Sequence, residues 1–338
     1  MTLGFASIAT AVCTRPRGFL QPVHQRAIRA VKALAENRIE DAEANVAAIP
    51  ETPADSRIWK GFISGQVAVV RGDFGAAEVA LVQATALALL LGMPAVGDAD
   101  EPSPTARPNS PLCGEVGAAT SQDTFLNLGP ETTRLLAAVV ENLGCLYRRQ
   151  ERLNEAFCAH RLALGLRRGS GSYEELWETA TSLGLDADVA HSPKESLRWH
   201  QMAVDLAERV SEQADQKRAL AWQHLSAALI EAGHPQQAVA AAKTARGSWH
   251  RHDRGGLAAA KADLILGHAL LRYGESLWAT DAESASAILG GAIDWLATAH
   301  ESLAAFGAPA AADAQSCLQL KDFAERLRAS VVPANKIA

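Results

Sequence analysis

Two cysteines and a histidine lie close together in the segment ENLGCLYRRQERLNEAFCAHRLAL, which runs from residue 141 to residue 164. Cys145 and His160 have the residue types of a thiol nucleophile and its general base, and such a pair performs covalent chemistry when the two side chains meet. The chain contains no phosphate-binding loop, zinc-protease, hydrolase or dinucleotide-binding motif that would add to this pair. Whether the two side chains can meet and react therefore depends on the secondary-structure elements that carry them.

The segment is one copy of a pattern that repeats along the chain. It carries a Leu-Gly pair at residues 143 and 144, and related pairs follow at 183–184, 225–226 and 266–267. The small second residues of these pairs, which we call the anchors, are 40, 42 and 41 residues apart. A nearly constant period of this length indicates an array of stacked structural repeats.

Composition indicates that each repeat is helical. Alanine and leucine are abundant, aromatic residues make up 5% of the chain, and runs of strand-favouring residues are nearly absent. Each unit reads as a first helix with the anchor, a short turn, and a second helix with a stripe of alanines. One such hairpin cannot bury its apolar face alone, so the pattern predicts an all-α fold in which hairpins stack into an α-α superhelix.

The best-formed unit, VVENLGCLYRRQERLNEAFCAHRLAL, resembles the tetratricopeptide repeat (TPR), whose signature is W-x2-L-G-x2-Y followed by A-x3-F. The matching residues are Leu143, Gly144, Tyr147, Ala156 and Ala163. Val140 replaces the tryptophan and His160 replaces the phenylalanine, whereas a later unit restores Trp222 but has Ser226 as its anchor. The period of 40 to 42 residues is similar to that of the kinesin light chain class.

The pattern divides the chain into segments. The prediction is a flexible N-terminal segment at 1–21, TPR-like hairpins at 22–93, a loop or linker rich in Pro and Gly at 94–130, about four further hairpins at 131–305, a capping helix at 306–330 and a tail at 331–338. The last hairpin is expected to be irregular, with about a dozen residues inserted between its two helices.

Net charge and cysteine content limit the kinds of partner that the protein is expected to bind and the cellular compartment in which it is expected to lie. A net charge of -6 argues against a nucleic-acid partner, which would need a basic surface. The five cysteines are odd in number and form no C-x-x-C motif, which favours free thiols in the cytoplasm over disulfides. No apolar run is long enough to suggest a membrane span. The start MTLGFASIATAVC is apolar, which leaves a weak export signal as the alternative, but it lacks the basic residues with which a signal peptide begins.

The repeat register gives the reactive residue types a packing role. Cys145 follows the anchor on a first helix, and His160 takes the slot on a second helix that phenylalanine usually fills. His200 takes the same slot in the next unit, so a contact across the stack or a pH-sensitive joint stays open as an alternative. His250 and His252 provide too few ligands for a metal. We therefore expect no catalytic residue, no cofactor and no metal.

The resemblance implies that the first helices line a concave groove that holds a peptide or partner helix. The residues that the register turns toward this groove are Trp59, Phe62, Gln66, Glu141, Asn142, Arg148, Arg149, Glu178, Gln223, His224, Lys261, His268 and Arg272. Amide side chains can bond an extended backbone, and arginines can bind a carboxylate through two hydrogen bonds. Asn142 matches an asparagine common in kinesin-light-chain-like grooves, but the carboxylate clamp of chaperone-binding members is not reproduced.

These observations predict a non-catalytic scaffold that binds a protein or peptide partner in the groove. The alternative is a regulatory or sensor module that binds a small peptide or metabolite and controls a separate output protein. An unrecognised enzyme is the third hypothesis, and Cys145 or His224 would then be required for activity. Because alanine-rich repeat ends often self-associate, a homo-oligomer also stays open.

Overall fold

The computed structural model describes residues 22–50, 54–91, 130–170, 172–210, 214–253 and 255–331. Within these ranges the chain forms thirteen α-helices and no strand, which confirms the predicted all-α fold. The helices are α1 (Pro22–Ala35), α2 (Ile39–Ala47), α3 (Ala54–Arg71), α4 (Phe74–Leu91), α5 (Pro130–Arg149), α6 (Leu153–Ser170), α7 (Tyr173–Val189), α8 (Pro193–Ala207), α9 (Ala214–Glu231), α10 (Pro235–His252), α11 (Leu257–Leu277), α12 (Ala282–Ala304) and α13 (Ala311–Val331). The predicted segment 1–21, nearly all of the predicted loop 94–130 and the tail after residue 331 lie outside the described residues.

The helices form two compact units, residues 1–186 and residues 187–338. In the first unit α1 pairs with α2, α3 with α4 and α5 with α6, and α4 also packs on α5. In the second unit α9 pairs with α10 and α11 with α12, while α10 packs on α11. Each unit is therefore a stack of helical hairpins, as the repeat pattern predicts.

The turn inside each hairpin has the same backbone geometry. The residue seven positions after the anchor has a positive φ in four successive repeats: Gly72 (79°), Glu151 (62°), His191 (51°) and Gly233 (77°). The residue after it donates its backbone N–H to a carbonyl five residues earlier, as Arg152 N does to Tyr147 O at 2.9 Å. This left-handed residue ends the first helix and sends the chain back along it. The turn therefore fixes where the second helix begins relative to the anchor.

The anchors are small because a side chain of the second helix lies directly over them. A Cβ atom on Gly65 would be 2.7 Å from Cγ of Leu81, and one on Gly144 would be 2.6 Å from Nε2 of His160. Both covering residues lie sixteen positions after their anchor. The covering side chain can be Leu or His, and at Gly65 and Gly144 it leaves no room for a Cβ atom.

The last hairpin departs from the spacing in a way that the sequence did not predict. Its anchor, Gly267, is covered by Leu296 rather than by the residue sixteen positions later. The additional residues are not an insertion between the helices, because only residues 278–281 separate α11 from α12. They lengthen both helices instead, and Gly274 on α11 meets Leu289 on α12 one level further along. The apolar helical period continues through these residues, so extending the hairpin buries more apolar surface than a loop would.

The helix α13 closes the second unit. It packs on α12 and α11, and its Cys317 and Ala324 are fully buried against them. Its Asp313 forms an ion pair with Lys261 on α11, at 2.9 Å. A helix of this kind covers the apolar side of the last hairpin, which would otherwise meet water. None of the helices in the described ranges is long and apolar enough to cross a membrane.

The close packing at the last anchor predicts a measurable cost for one added methyl group. In Gly267→Ala the new Cβ would meet Leu296 Cγ at 2.8 Å and the backbone nitrogen of the same residue at 3.2 Å, so a change of rotamer cannot relieve the clash. We expect the free energy of unfolding to fall by about 1–3 kcal/mol in urea titrations. In the matched control Gly291→Ala, on α12, the new Cβ meets no atom within 4 Å, and we expect a gain of about 0.5–1 kcal/mol. A Gly267→Ala protein as stable as the control would contradict the packing.

Candidate functional site

The first helix of each repeat carries a line of residues at spacings of 4, 3 and 4, which places them on one helix face. We call this line the first-helix stripe. Counted from the anchor, its members lie six and two positions before it and one and five positions after it. They are Trp59, Ile63, Gln66 and Val70 on α3; Ala138, Asn142, Cys145 and Arg149 on α5; Glu178, Ser182, Leu185 and Val189 on α7; Leu220, His224, Ala227 and Glu231 on α9; and Lys261, Ile265, His268 and Arg272 on α11. On α5, α9 and α11 every member is half-buried or exposed.

Most of the groove residues predicted from the sequence lie on this stripe. Those on it are Trp59, Gln66, Asn142, Arg149, Glu178, His224, Lys261, His268 and Arg272. Those off it are Phe62, Glu141, Arg148 and Gln223. The second group lies one position around the helix, where the side chain turns toward neighbouring helices instead of solvent.

Two of the residues off the stripe have clear internal partners. Phe62 is fully buried, and its ring meets the half-buried Trp59 edge-on at 6.2 Å between ring centres. Gln223 accepts a 3.1 Å hydrogen bond at Oε1 from the indole N–H of Trp249 on α10. Burial of Phe62 places it in the core of its unit, and the bond of Gln223 joins α9 to α10.

Glu141 is the centre of a buried polar network in the first unit. It forms an ion pair with Arg167 of α6 and accepts hydrogen bonds from Thr179 at 2.8 Å and Ser182 at 3.2 Å, both on α7. Arg167 also donates to the backbone oxygen of Glu175 at 2.8 Å. The two buried charges pair with each other and make further hydrogen bonds, although Nε of Arg167 has no hydrogen-bond partner. The network holds α5, α6 and α7 in one register.

Arg148 lies about two helical turns after Glu141 and belongs to a second cluster. Its Nη1 donates to Asp186 Oδ1 at 2.8 Å and to the backbone oxygen of Ser182 at 3.0 Å. The other carboxylate oxygen of Asp186 lies 2.5 Å from His160 Nδ1, and His160 Nε2 lies 3.6 Å from Cys145 Sγ. The two reactive residue types of the opening segment are therefore in contact, with an aspartate behind the histidine.

The environment of His160 strongly favours its charged form. Burial alone would lower its pKa, but the hydrogen bonds with Asp186 and Cys145 outweigh burial and raise the pKa to about 10. His160 is therefore more than the packing residue that the sequence predicted. In the described part of the chain no group of three His, Cys, Asp or Glu side chains could hold a metal ion.

Asp186 is the member of this cluster that sequence reasoning missed. The available signal is the pair of acids in LGLDADV, where Asp186 and Asp188 interrupt an apolar stretch of α7. Each of these acids meets one histidine of the repeated slot, since Asp188 lies 2.9 Å from Nε2 of His200. Asp186 is buried whereas Asp188 is exposed. A buried acid is improbable without a cationic partner, so the position of Asp186 in an apolar stretch could have indicated its pair.

The amide of Asn142 is held at the surface of α5. Its Oδ1 accepts a 2.5 Å hydrogen bond from Gln66 Nε2 on α3, and its Nδ2 donates to the backbone oxygen of Ala138 at 2.7 Å. An asparagine side chain has two N–H donors and two acceptor lone pairs. One donor and one acceptor position therefore remain beyond these two bonds. Arg149 is exposed at the end of the same helix.

The stripe in the second unit carries two histidines with depressed pKa values. His224 stacks on His200 with 5.2 Å between ring centres and 10° between planes. Burial and the neighbouring His200 lower the pKa of His224 to about 4, against an opposing effect of Asp188. Burial, followed by the charge of Arg272, likewise lowers the pKa of His268. Both histidines are therefore neutral at pH 7. Arg272, on the same stripe as His268, forms an ion pair with Glu275 at 2.6 Å.

Comparison with known proteins gives a likeness in structure only. No protein-family model and no curated protein matches the chain. The solved apo form of RapI matches with a TM-score of 0.54 at 10% sequence identity, covering 92% of this chain and 97% of that one. A Rap protein complexed with competence and sporulation factor has a TM-score of 0.48 at 10% identity, covering 97% of this chain and 92% of that one. The kinesin light chain TPR-like repeats of Podospora anserina have a TM-score of 0.47 at 14% identity, covering 69% and 97%. The chain is thus a TPR-like helical-repeat protein in its fold.

The depressed pKa of His224 predicts a loss of stability in mild acid. Below pH 6.5 the unfolded chain binds a proton at this histidine, whereas the folded chain does so only near pH 4. The free energy of unfolding should therefore fall as pH drops from 6.5 to 4, by at most about 3 kcal/mol from this group. In His224→Gln this contribution disappears, so urea midpoints at pH 7 and pH 5 should differ less than in the wild type. An equal pH dependence in the two proteins would contradict the assignment.

Proposed function

We propose that this chain is a non-catalytic interaction scaffold that binds a peptide or partner segment along its first-helix stripes. The observation that carries the proposal is the stripe on α5, where an amide and an exposed arginine lie on one face of a helix. Asn142 and Arg149 are seven residues apart, which is about 10 Å at the rise of an α-helix. An extended peptide spans this distance in about three residues.

The chemistry of the two side chains indicates what such a segment contains. The remaining donor and acceptor positions of Asn142 match the C=O and N–H of an extended backbone, which is how amide side chains bind peptides irrespective of their sequence. The guanidinium of Arg149 favours a carboxylate, to which it can donate two parallel hydrogen bonds. The proposed partner is therefore an extended segment with an acidic side chain or a terminal carboxylate about three residues from the backbone group that Asn142 binds.

The networks under the stripe support this proposal by keeping α5 rigid. Glu141 and Arg148 tie the helix to α7, and Gln66 ties Asn142 to α3. Side chains that are already ordered lose less conformational entropy when a partner binds. The residues that lie off the stripe therefore position the binding residues instead of touching the partner.

The test is selection of binders from a displayed library of random peptides, followed by fluorescence polarisation with the selected sequences. We expect selected peptides to carry an acidic group, and Arg149→Glu to weaken their binding at least about tenfold, which is about 1.4 kcal/mol. Asn142→Ala should weaken binding irrespective of the peptide's side chains, because it removes contacts with the backbone.

The matched control is Arg161→Glu, which makes the same charge reversal at an exposed position of the second helix α6. Its affinity should stay within about twofold of the wild type, a difference of less than 0.5 kcal/mol. Selected peptides that respond to Arg161→Glu but not to Arg149→Glu would contradict the proposed surface. A library that yields no binder to the full chain would contradict the proposed function.

A further inference from the structure

Cys145 differs from the rest of the first-helix stripe because it belongs to a cluster with reactive chemistry. Its Sγ lies 3.6 Å from His160 Nε2 and 3.8 Å from Arg148 Nη2. Asp186 in turn binds both the histidine, at 2.5 Å, and the arginine, at 2.8 Å. The four side chains come from α5, α6 and α7 and form a closed ring of polar contacts. The peptide-binding proposal uses none of this chemistry.

The geometry and charges of the cluster permit transfer of a proton from Cys145 to His160. His160 and the Asp186 side chain are almost fully buried, with 0% and 1% exposure. Arg148 and a protonated His160 provide two positive charges near the single negative charge of Asp186. A neutral thiol beside a neutral His160 and a thiolate beside a protonated His160 both bring the total charge of the four groups to zero. The proton can therefore move from Cys145 Sγ to His160 Nε2 without leaving an excess of charge in the cluster. The hydrogen bonds that raise the pKa of His160 to about 10 agree with the protonated form of this histidine.

We propose that Cys145 is a redox-modification site, a half-exposed thiolate that reacts with small hydroperoxides. The Sγ–H proton resides on His160 Nε2, and Nδ1–H of the same ring donates to Asp186. The thiolate attacks the terminal peroxide oxygen, so an S–O bond forms while the O–O bond breaks. The alkoxide or hydroxide that leaves takes the proton from His160, which gives an alcohol or water. Sulfur is oxidised by two electrons to a sulfenic acid, and the peroxide is reduced.

The surroundings of the thiol suit this reaction. Cys145 is half-exposed on the stripe between Asn142 and Arg149, so a small oxidant can reach it, whereas Cys317 is fully buried. The guanidinium of Arg148 is close enough to donate a hydrogen bond to the peroxide oxygen on which negative charge develops. Thiolates next to cationic groups and partly open to solvent are the cysteines that oxidants modify selectively.

The first test compares two thiols within the full-length wild-type protein and needs no variant. Iodoacetamide is added at pH 7, and alkylation is followed over time by mass spectrometry. Trypsin places Cys145 and Cys158 on different peptides, because Arg148 and Arg152 lie between them. A free thiol is only about 3% ionised at pH 7, and part of the gain from full ionisation is offset by lower intrinsic nucleophilicity. We expect Cys145 to react at least about tenfold faster than Cys158, which is also half-buried.

Variants then identify the groups responsible. His160→Gln and Asp186→Asn should each lower the alkylation rate of Cys145 about tenfold. His160→Gln removes the group that accepts the thiol proton, and Asp186→Asn removes the carboxylate that stabilises the protonated histidine. The matched control is His200→Gln, the same substitution in the equivalent slot of the next repeat, which should leave the rate at Cys145 unchanged. Melting temperatures of all variants identify any that do not fold. Equal rates at Cys145 and Cys158 in the wild type, or an unchanged rate in both cluster variants, would overturn the ion pair.

The last test addresses the oxidant. The full chain is treated with hydrogen peroxide in the presence of dimedone, which traps sulfenic acids, and the adduct is quantified on the Cys145 peptide. We expect the adduct in the wild type and in His200→Gln, and about tenfold less in Asp186→Asn. Rapid alkylation without a dimedone adduct would overturn the assignment to hydroperoxides. Because no peptide partner takes part in these reactions, failure of the peptide selection would not affect this result.

Discussion

The close contact between the two helices of a hairpin is the constraint on which the rest of the structure depends. At the anchors Gly65, Gly144 and Gly267 the second helix lies so near that an added Cβ would collide with Leu81, His160 and Leu296, respectively. In four of the repeats a left-handed residue such as Glu151, seven positions after the anchor, returns the chain at the same level. The anchor and the turn together fix the rotation of the first helix. Every other residue of that helix then has a defined direction.

This rotation separates binding residues from supporting residues that differ by a single position. Asn142 lies on the exposed stripe, whereas the preceding Glu141 turns inward to Arg167 and Thr179. Arg149 is exposed at the helix end, whereas Arg148 is held by Asp186. A rotation of about 100° per residue is enough to move a side chain from solvent to a neighbouring helix. Neighbouring arginines with the same chemistry therefore have different roles.

The sequence predicts the hairpins well because the anchor spacing is a local property of the chain. Gly144 and the turn after α5 belong to one short segment, and their period repeats almost unchanged. Contacts between repeats are harder to predict, since Asp186 meets His160 from 26 residues away and nothing in the period specifies that pairing. The prediction for the last hairpin was also wrong in detail. Extra residues in a helical array can lengthen both helices instead of forming an insertion between them, as the position of Leu296 over Gly267 shows.

The polar residues in the packing slots have a physical explanation that also bears on function. His160 is tolerated at a position that phenylalanine usually fills because Gly144 leaves room for its ring and Asp186 binds its far side. The substitution brings a positive charge into the core of the repeat, and Asp186 provides the negative partner for it. Arg148 also binds Asp186, and Cys145 contacts both His160 and Arg148. Cys145 and Arg148 lie on or next to the face that carries the half-buried Asn142 and the exposed Arg149. The helix α5 therefore connects the buried charges of its hairpin to the surface proposed to meet a partner.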